Sequence, residues 1–183
     1  MNWILPGTVL EGKREEAANL EAMMQPMFLT GGMILSQVAS LTGLEPYIIQ
    51  NWVKRGFLSP PQNKRYTLRQ LCRILNINML KGVLPMERIC GMLTYINGHL
   101  DDESDDLIDD SKLYFMFVRL AARAQELEKS QGWEQAIAEL LADYAEPAPG
   151  ARDRIARVLR IMLIAYIAAR MKEEAETLLK EIE

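Results

Sequence analysis

The fold is decided by residues 35–66, which read LSQVASLTGLEPYIIQNWVKRGFLSPPQNKRY. Val38 and Leu41 contribute to the apolar side of a first short helix, and Gly43 stands where that helix must stop and the chain reverse. Pro46 lies in the first turn of a second helix, a position that needs no backbone N–H. A compact basic hairpin follows the second helix. The stretch therefore predicts a helix, a Thr-Gly turn, a second helix and a short β-hairpin.

The predicted second helix has two chemically different sides. Its apolar side carries Ile49 and Trp52 and is expected to face a core. Its other side carries groups that can read base edges or hold phosphate. We therefore predict a helix-turn-helix with a small wing that binds double-stranded DNA. The predicted base contacts are Tyr47, Gln50 and Asn51, and the predicted phosphate contacts are Lys54, Arg55, Lys64, Arg65 and Arg69.

Several motifs of this stretch resemble the DNA-binding domain of MerR-type regulators. They are Thr42-Gly43, Trp52, Gly56-Phe57-Leu58 and Lys64-Arg65-Tyr66-Thr67. Together with Asn51-Trp52-Val53-Lys54, Pro60-Pro61 and Leu80-Lys81-Gly82-Val83-Leu84, they make residues 33–96 similar to a bacterial family called domain of unknown function 1836. The resemblance implies a MerR-like fold and DNA as a partner. It places Gln50 where such proteins often carry a contacting arginine, and Lys64 at the position of the wing arginine.

Composition divides the chain into four predicted segments. Residues 1–32 form an N-terminal helical lead segment, 33–100 the winged helix-turn-helix, 101–111 an acidic linker, and 112–183 a C-terminal helical bundle. Hydrophobic residues make up 49% of the chain, and the alternation typical of strands is scarce. The predicted fold class is mainly α: a MerR-like winged helix-turn-helix with a short β-hairpin wing, followed by a C-terminal helical-hairpin bundle.

Charge is distributed unevenly along these segments. Residues 31–100 carry eight Lys/Arg against two Glu, and residues 101–110 carry six Asp and one Glu with no base. A basic module followed by an acidic tract is compatible with nucleic-acid binding by the first part only. The acidic tract is expected to be an exposed linker, with Leu107 and Ile108 as the residues in it that could dock or begin a helix. An alternative role for the tract is to mimic DNA by folding back on the basic surface.

The C-terminal segment shows weak internal similarity. QGWEQAIAELL and RMKEEAETLLK align over a 39-residue offset and resemble helix starts of tetratricopeptide-type hairpins. Simple amphipathic packing explains the same pattern, because short helices rich in Ala, Glu and Leu match one another easily. Separate helices are predicted at 152–169 and 172–182. No sustained heptads are apparent there, so the geometry of a possible homodimer stays open.

Residues for catalysis are scarce. The single histidine, His99, lies in a predicted turn without an apparent partner, and Cys72 and Cys90 lie on separate predicted helices. No phosphate loop, nucleophile motif or metal-ligand pair is visible. We therefore predict no enzyme activity, no cofactor and no metal. Without a convincing signal peptide or a stretch long enough to span a bilayer, a cytoplasmic location and no membrane partner are predicted.

Two other functional classes remain open from the sequence. The winged fold could be a scaffold for protein–protein interaction, with the helical hairpins holding a peptide or protein partner. The C-terminal bundle could instead receive a small-molecule effector, an idea that rests only on analogy with regulators. A transcriptional regulator that binds DNA, as a dimer on paired half-sites, is the favoured hypothesis.

Overall fold

The computed structural model describes residues 3–100 and 102–182 and is built mostly from helices, which confirms the mainly α prediction. The helices are α1 (Leu20–Met24), α2 (Leu35–Thr42), α3 (Pro46–Lys54), α4 (Leu68–Leu80), α5 (Met86–Asn97), α6 (Asp110–Ala122), α7 (Ala124–Ser130), α8 (Trp133–Leu140) and α9 (Ala151–Lys180). The strands are β1 (Trp3–Ile4), β2 (Glu11–Gly12), β3 (Met33–Ile34) and β4 (Arg65–Tyr66). Short 3-10 turns occupy Arg14–Asn19, Gln25–Phe28 and Glu103–Asp105.

The α2–α3 pair forms where its local signals indicate. Gly43 ends α2 in the left-handed conformation, with φ of 69°, and its N–H donates to the Ala39 carbonyl. Pro46 opens α3 at the first helical position. Ile49 and Trp52 are buried, so α3 is anchored to the core by its apolar side. Its polar side is left to solvent.

The predicted hairpin is a tight turn whose second arm pairs elsewhere. The Arg65 N–H donates to the Gln62 carbonyl at 2.8 Å, and the two residues between them, Asn63 and Lys64, both have positive φ. That is the backbone of a type I′ turn. Strand β4 then pairs antiparallel with β3, the segment just before α2, with Met33 opposite Tyr66. The turn is therefore tied directly to the start of α2.

Helix α4 is the central element of the molecule. Thr67 caps it, since its hydroxyl accepts the Gln70 N–H at 3.2 Å. Residues 70–77 are buried on every side of the helix, and α4 packs most extensively against α6 and also against α5 and α9. One continuous hydrophobic core therefore joins the elements before and after residues 101–111.

The N-terminal segment wraps around this core. Its antiparallel pair of strands, β1 and β2, has no counterpart in the sequence prediction. The Trp3 indole donates to the Tyr166 hydroxyl at 3.2 Å, and the buried Tyr114 hydroxyl donates to the Pro6 carbonyl at 2.9 Å. Ala17 of this segment is buried. The lead segment is thus packed against α6 and α9.

The C-terminal region differs from its prediction at one point. Helix α9 runs unbroken for 30 residues, through 170–171, where the tetratricopeptide-like hairpin required a turn. The physical reason is plain, because no Gly or Pro interrupts this stretch and its Ala, Arg, Met, Lys and Glu residues favour helix. The prediction of two helices at 152–169 and 172–182 is wrong. Within the described residues, no helix has both the length and the apolar character that crossing a membrane requires.

Candidate nucleic-acid interface

The exposed side of α3 presents four of the predicted contact residues together. Tyr47 is 60% exposed. Gln50, Asn51 and Lys54 are exposed as well. The four side chains share this side because Ile49 and Trp52 turn the opposite side of α3 into the core. The amphipathic pattern was therefore sufficient to predict this surface.

A groove separates α3 from the Gln62–Arg65 turn. It has a volume of about 570 Å³, with Gln50 and Val53 among its lining residues on the α3 side and Lys64 on the turn. Ile34 of β3 and Tyr66 of β4 also line it. The groove brings Gln50 and Lys64, which lie 14 positions apart in the sequence, to one open surface.

Arg55 reaches solvent but already has two partners. Its guanidinium lies 2.9 Å from the Glu87 carboxylate and 4.5 Å from the centre of the Phe57 ring. Both members of the ion pair are exposed, so the pair is worth little and can open readily. Arg55 can therefore exchange Glu87 for another anion at low cost.

Arg65 is turned toward the protein. Its side chain is half-buried, and its guanidinium donates to the Gly32 carbonyl at 2.8 Å. This hydrogen bond joins the turn to the residue before β3. The structure thus gives Arg65 a part in holding the β3–β4 pairing together.

Arg69 is bound by the acidic tract. Its guanidinium lies 2.5 Å from Asp106 and 3.8 Å from Asp109, and its side chain is only 20% exposed. Burial raises the pKa of Asp106 to about 6, while the nearby Arg69 charge acts in the opposite direction. The tract that was expected to be exposed therefore docks on α4 at this point, with Ile108 buried beside it. At Arg69 the acidic tract therefore folds back on a basic residue of α4.

A second and deeper ion pair lies beside Arg69, and the sequence did not indicate it. Arg73 lies 3.2 Å from Asp110, and both side chains are almost fully buried. The Arg73 guanidinium also donates to the Phe57 carbonyl at 3.0 Å, which fixes the segment after α3. The only available signal was complementary charge in two segments 37 positions apart.

Gln70 holds the segment that precedes the Gln62–Arg65 turn, a role that sequence reasoning missed. Its side-chain amide donates to the Ser59 carbonyl at 3.1 Å, the Ser59 hydroxyl at 3.0 Å and the Pro60 carbonyl at 2.9 Å. Its position in the capping box of α4 was the only local signal. The chain entering the Gln62–Arg65 turn is thereby anchored to α4.

Comparison with known proteins places this surface within a family. A family model described as a domain of unknown function (DUF1836) matches residues 22–117, more than half of the chain. The chain belongs to the DUF1836 family. The uncharacterized protein YkrK of Bacillus subtilis (strain 168) is 32% identical to it over 84 residues, which are 44% of this chain and 36% of that relative. No solved structure matches the chain.

The DUF1836 segment contains α2, α3, the turn, α4 and the acidic tract.

The DUF1836 segment also contains both cysteines, Cys72 and Cys90. Burial raises the pKa of Cys72 well above its ordinary value and also raises that of Cys90, so neither thiol is activated as a nucleophile. Among the residues that the structure describes, no group of three His, Cys, Asp or Glu side chains is placed to hold a metal ion.

Proposed function

We propose that this chain is a cytoplasmic transcriptional regulator that binds duplex DNA. In this proposal α2 and α3 form a helix-turn-helix, α3 enters the major groove, and the Gln62–Arg65 turn is the wing of a MerR-like fold. The observation that carries the proposal is the open surface on which the polar side of α3 faces Lys64 across a groove. Tyr47, Gln50 and Asn51 would contact bases.

The proposed phosphate contacts differ in availability. Lys54 and Lys64 are exposed and make no ion pair within residues 3–100 and 102–182. Arg55 becomes available when its surface pair with Glu87 opens. Arg65 and Arg69 are held by Gly32 and by the acidic tract, so they would contribute less. Two to three neutralised phosphates should give a slope of log affinity against log salt of about −2 to −3.

The test is a fluorescence anisotropy titration of the full chain against a labelled duplex, selected from a random library, at several salt concentrations. Replacing Lys64 by Gly removes the tip charge and also suits the positive φ of that residue, so folding should be retained. Loss of one phosphate contact should weaken binding about five- to tenfold and reduce the salt slope by about one. The matched control is Lys129→Ala, which removes an equal exposed charge from α7.

Contrary results are easily recognised. No enrichment from the random library, or affinity that is insensitive to salt, would contradict DNA binding. Equal affinity of the Lys64→Gly and Lys129→Ala proteins would remove the turn from the interface while leaving α3 to be tested by Asn51→Ala. A variant that alters the circular dichroism spectrum is excluded from the comparison.

A second candidate function is protein–protein interaction on the same scaffold. It is favoured by the neutralisation of Arg55 and Arg69 within the chain and by the apolar residues in the groove, such as Ile34, which is 42% exposed. An apolar groove with few free cations suits a peptide better than a phosphate backbone. Failure of the library selection would turn attention to this function.

A further inference from the structure

A cavity of about 260 Å³ is lined by the N-terminal segment together with α2 and α6. The N-terminal segment contributes the β1–β2 hairpin and the helical turns that follow it, and α2 and α6 contribute one residue each. Most of the lining is apolar, and its buried members are Ala17, Leu20, Met24, Leu41 and Tyr114. The cavity shares no lining residue with the groove beside α3, so it is a separate site.

The loop between β1 and β2, which lines the cavity, is fixed to the neighbouring helices. The Val9 N–H donates to the Leu41 carbonyl of α2 at 3.0 Å. The side-chain amide of Asn78, in α4, donates to the Gly7 carbonyl at 2.8 Å and to the Thr42 carbonyl at 2.9 Å. These bonds hold the loop in its place above the core without a ligand. A molecule that enters the cavity therefore binds to walls that are already organised, which lowers the cost of binding.

The hydroxyl groups around the cavity are already hydrogen-bonded within the protein. The Tyr114 hydroxyl donates to the Pro6 carbonyl at 2.9 Å. The Thr8 hydroxyl donates to the Leu5 carbonyl at 3.0 Å and accepts the Leu10 N–H at 3.0 Å. A ligand that carried several polar groups into the cavity would find few partners for them, and unpaired polar groups cost free energy when they leave water. The interior of the cavity therefore favours an apolar ligand.

The charged side chains that line the cavity disfavour an anionic ligand. Among the described residues they are Glu11, Lys13 and Glu16, which together carry two negative charges and one positive charge. The Lys13 ammonium lies 3.6 Å from the Glu16 carboxylate, so the single positive charge already has an anionic neighbour. All three residues reach solvent and therefore belong to the rim of the cavity. A carboxylate or sulfonate on the ligand would meet a net negative charge at this rim.

Cavity size and side-chain type indicate the class of apolar ligand. An apolar cavity of about 150 Å³ holds benzene, and pockets for drug-sized molecules begin at about 300 Å³, so this cavity suits a molecule between the two. Three methionines, Met23, Met24 and Met27, line it. The methionine thioether adapts to irregular shapes and makes favourable contacts with aromatic rings. Met23 and Met27 are exposed, and a bound ring would remove their apolar surface from water.

We propose that this cavity is a binding site for an uncharged aromatic molecule of about ten to seventeen non-hydrogen atoms. The site lies at the N-terminal segment and not in the C-terminal bundle, where analogy with regulators suggested an effector. The proposal does not depend on DNA binding, since none of the lining residues belongs to α3 or to the Gln62–Arg65 turn. Its test needs only the protein and the ligand.

Fluorescence titration of the full chain with phenylnaphthylamine tests the site, because this uncharged aromatic compound becomes brighter in apolar surroundings. Binding should saturate at one molecule per chain. Met23→Glu places a carboxylate on the lining and should weaken binding at least about tenfold. The matched control Met171→Glu makes the same exchange in α9, away from the cavity, and should leave the affinity unchanged. The two methionines are 55% and 59% exposed, so both variants should keep the wild-type thermal transition.

A charged analogue tests the chemical class of the ligand. Anilinonaphthalene sulfonate has the same rings as phenylnaphthylamine and one added sulfonate, so it should bind at least about tenfold more weakly. Absence of saturable binding, equal affinity of the Met23→Glu and Met171→Glu proteins, or equal or tighter binding of the sulfonate would each overturn the proposal. If Met23→Glu alters the circular dichroism spectrum, Met27→Glu replaces it, because Met27 is the other exposed methionine of the lining.

Discussion

Charged side chains behave very differently in this protein according to what surrounds them. The numbers of charged residues along the sequence predict a basic segment at 31–100 and an acidic segment at 101–110, both exposed to solvent. The structure instead buries Arg73 against Asp110 and holds Arg69 against Asp106. Such pairs join residues 37 positions apart, so their existence depends on how α4 and α6 pack. No local pattern reports that packing, and this part of the site could not be predicted from the sequence.

The buried pair should be costly to break. Replacing Arg73 by Met leaves Asp110 without its cationic partner in the core and removes the donor to the Phe57 carbonyl. Loss of one partner of a buried ion pair costs about 3–5 kcal/mol of the free energy of unfolding. Urea denaturation followed by circular dichroism measures the change.

Two further variants serve as controls for the loss of stability in Arg73→Met. Arg73→Met combined with Asp110→Leu removes both charges and should recover much of the lost stability, because an apolar pair can replace a buried ion pair. Arg123→Ala opens an exposed pair with Glu126 and should change the free energy of unfolding by less than about 1 kcal/mol. An effect of Arg73→Met as small as that of Arg123→Ala would contradict the burial of the pair.

At the scale of elements, the strongest local signals gave the right helices. Gly43 and Pro46 correctly predicted the end of α2 and the start of α3. The strands were harder, because each of the four is two residues long and too short to show alternation. The pairing of β3 with β4 connects residues on either side of α2 and α3, and it leaves no periodic trace in the sequence.

Two glycines allow a matched test of the elements that contain them. Gly91 lies exposed within α5, and a methyl group there meets nothing within 4 Å, so Gly91→Ala should stabilise the protein by about 0.5–1 kcal/mol. Gly32 has φ of 103°, and its added Cβ would lie 2.4 Å from the Tyr66 carbonyl oxygen. Gly32→Ala should therefore destabilise by at least about 1–3 kcal/mol. The melting temperature should rise in Gly91→Ala and fall in Gly32→Ala relative to the wild type. An unchanged melting temperature of Gly32→Ala would argue against the β3–β4 pairing.

At the scale of the whole molecule, the described residues share one core. Helix α4 packs against α2 and α5 as well as against α6 and α9. The sequence suggested four segments because composition changes sharply at residues 101–111. Composition reports charge, however, and the buried Ile108 and Asp110 show that this tract is packed against its neighbours. The exposed side of α3, in contrast, was predictable because the spacing of apolar residues within a single helix shows which side faces the core.

A shared core should unfold in one step. Trp52 lies in α3 and Trp133 begins α8. Two variants, each with one of these as its sole tryptophan after Trp3 is also replaced, would therefore report the unfolding of different regions by fluorescence. Both fluorescence transitions in urea should coincide with each other and with the loss of helical circular dichroism. Two separate midpoints would show that the regions before and after residues 101–111 fold independently.

The left-handed backbone at Lys64 has a consequence for redesign. A lysine in this conformation costs about 1 kcal/mol relative to glycine, so a search for thermostable variants would favour glycine there. The same exchange would erase the one ammonium at the tip of the turn. Engineering this protein for thermostability alone would therefore remove the positive charge that the Gln62–Arg65 turn presents to solvent.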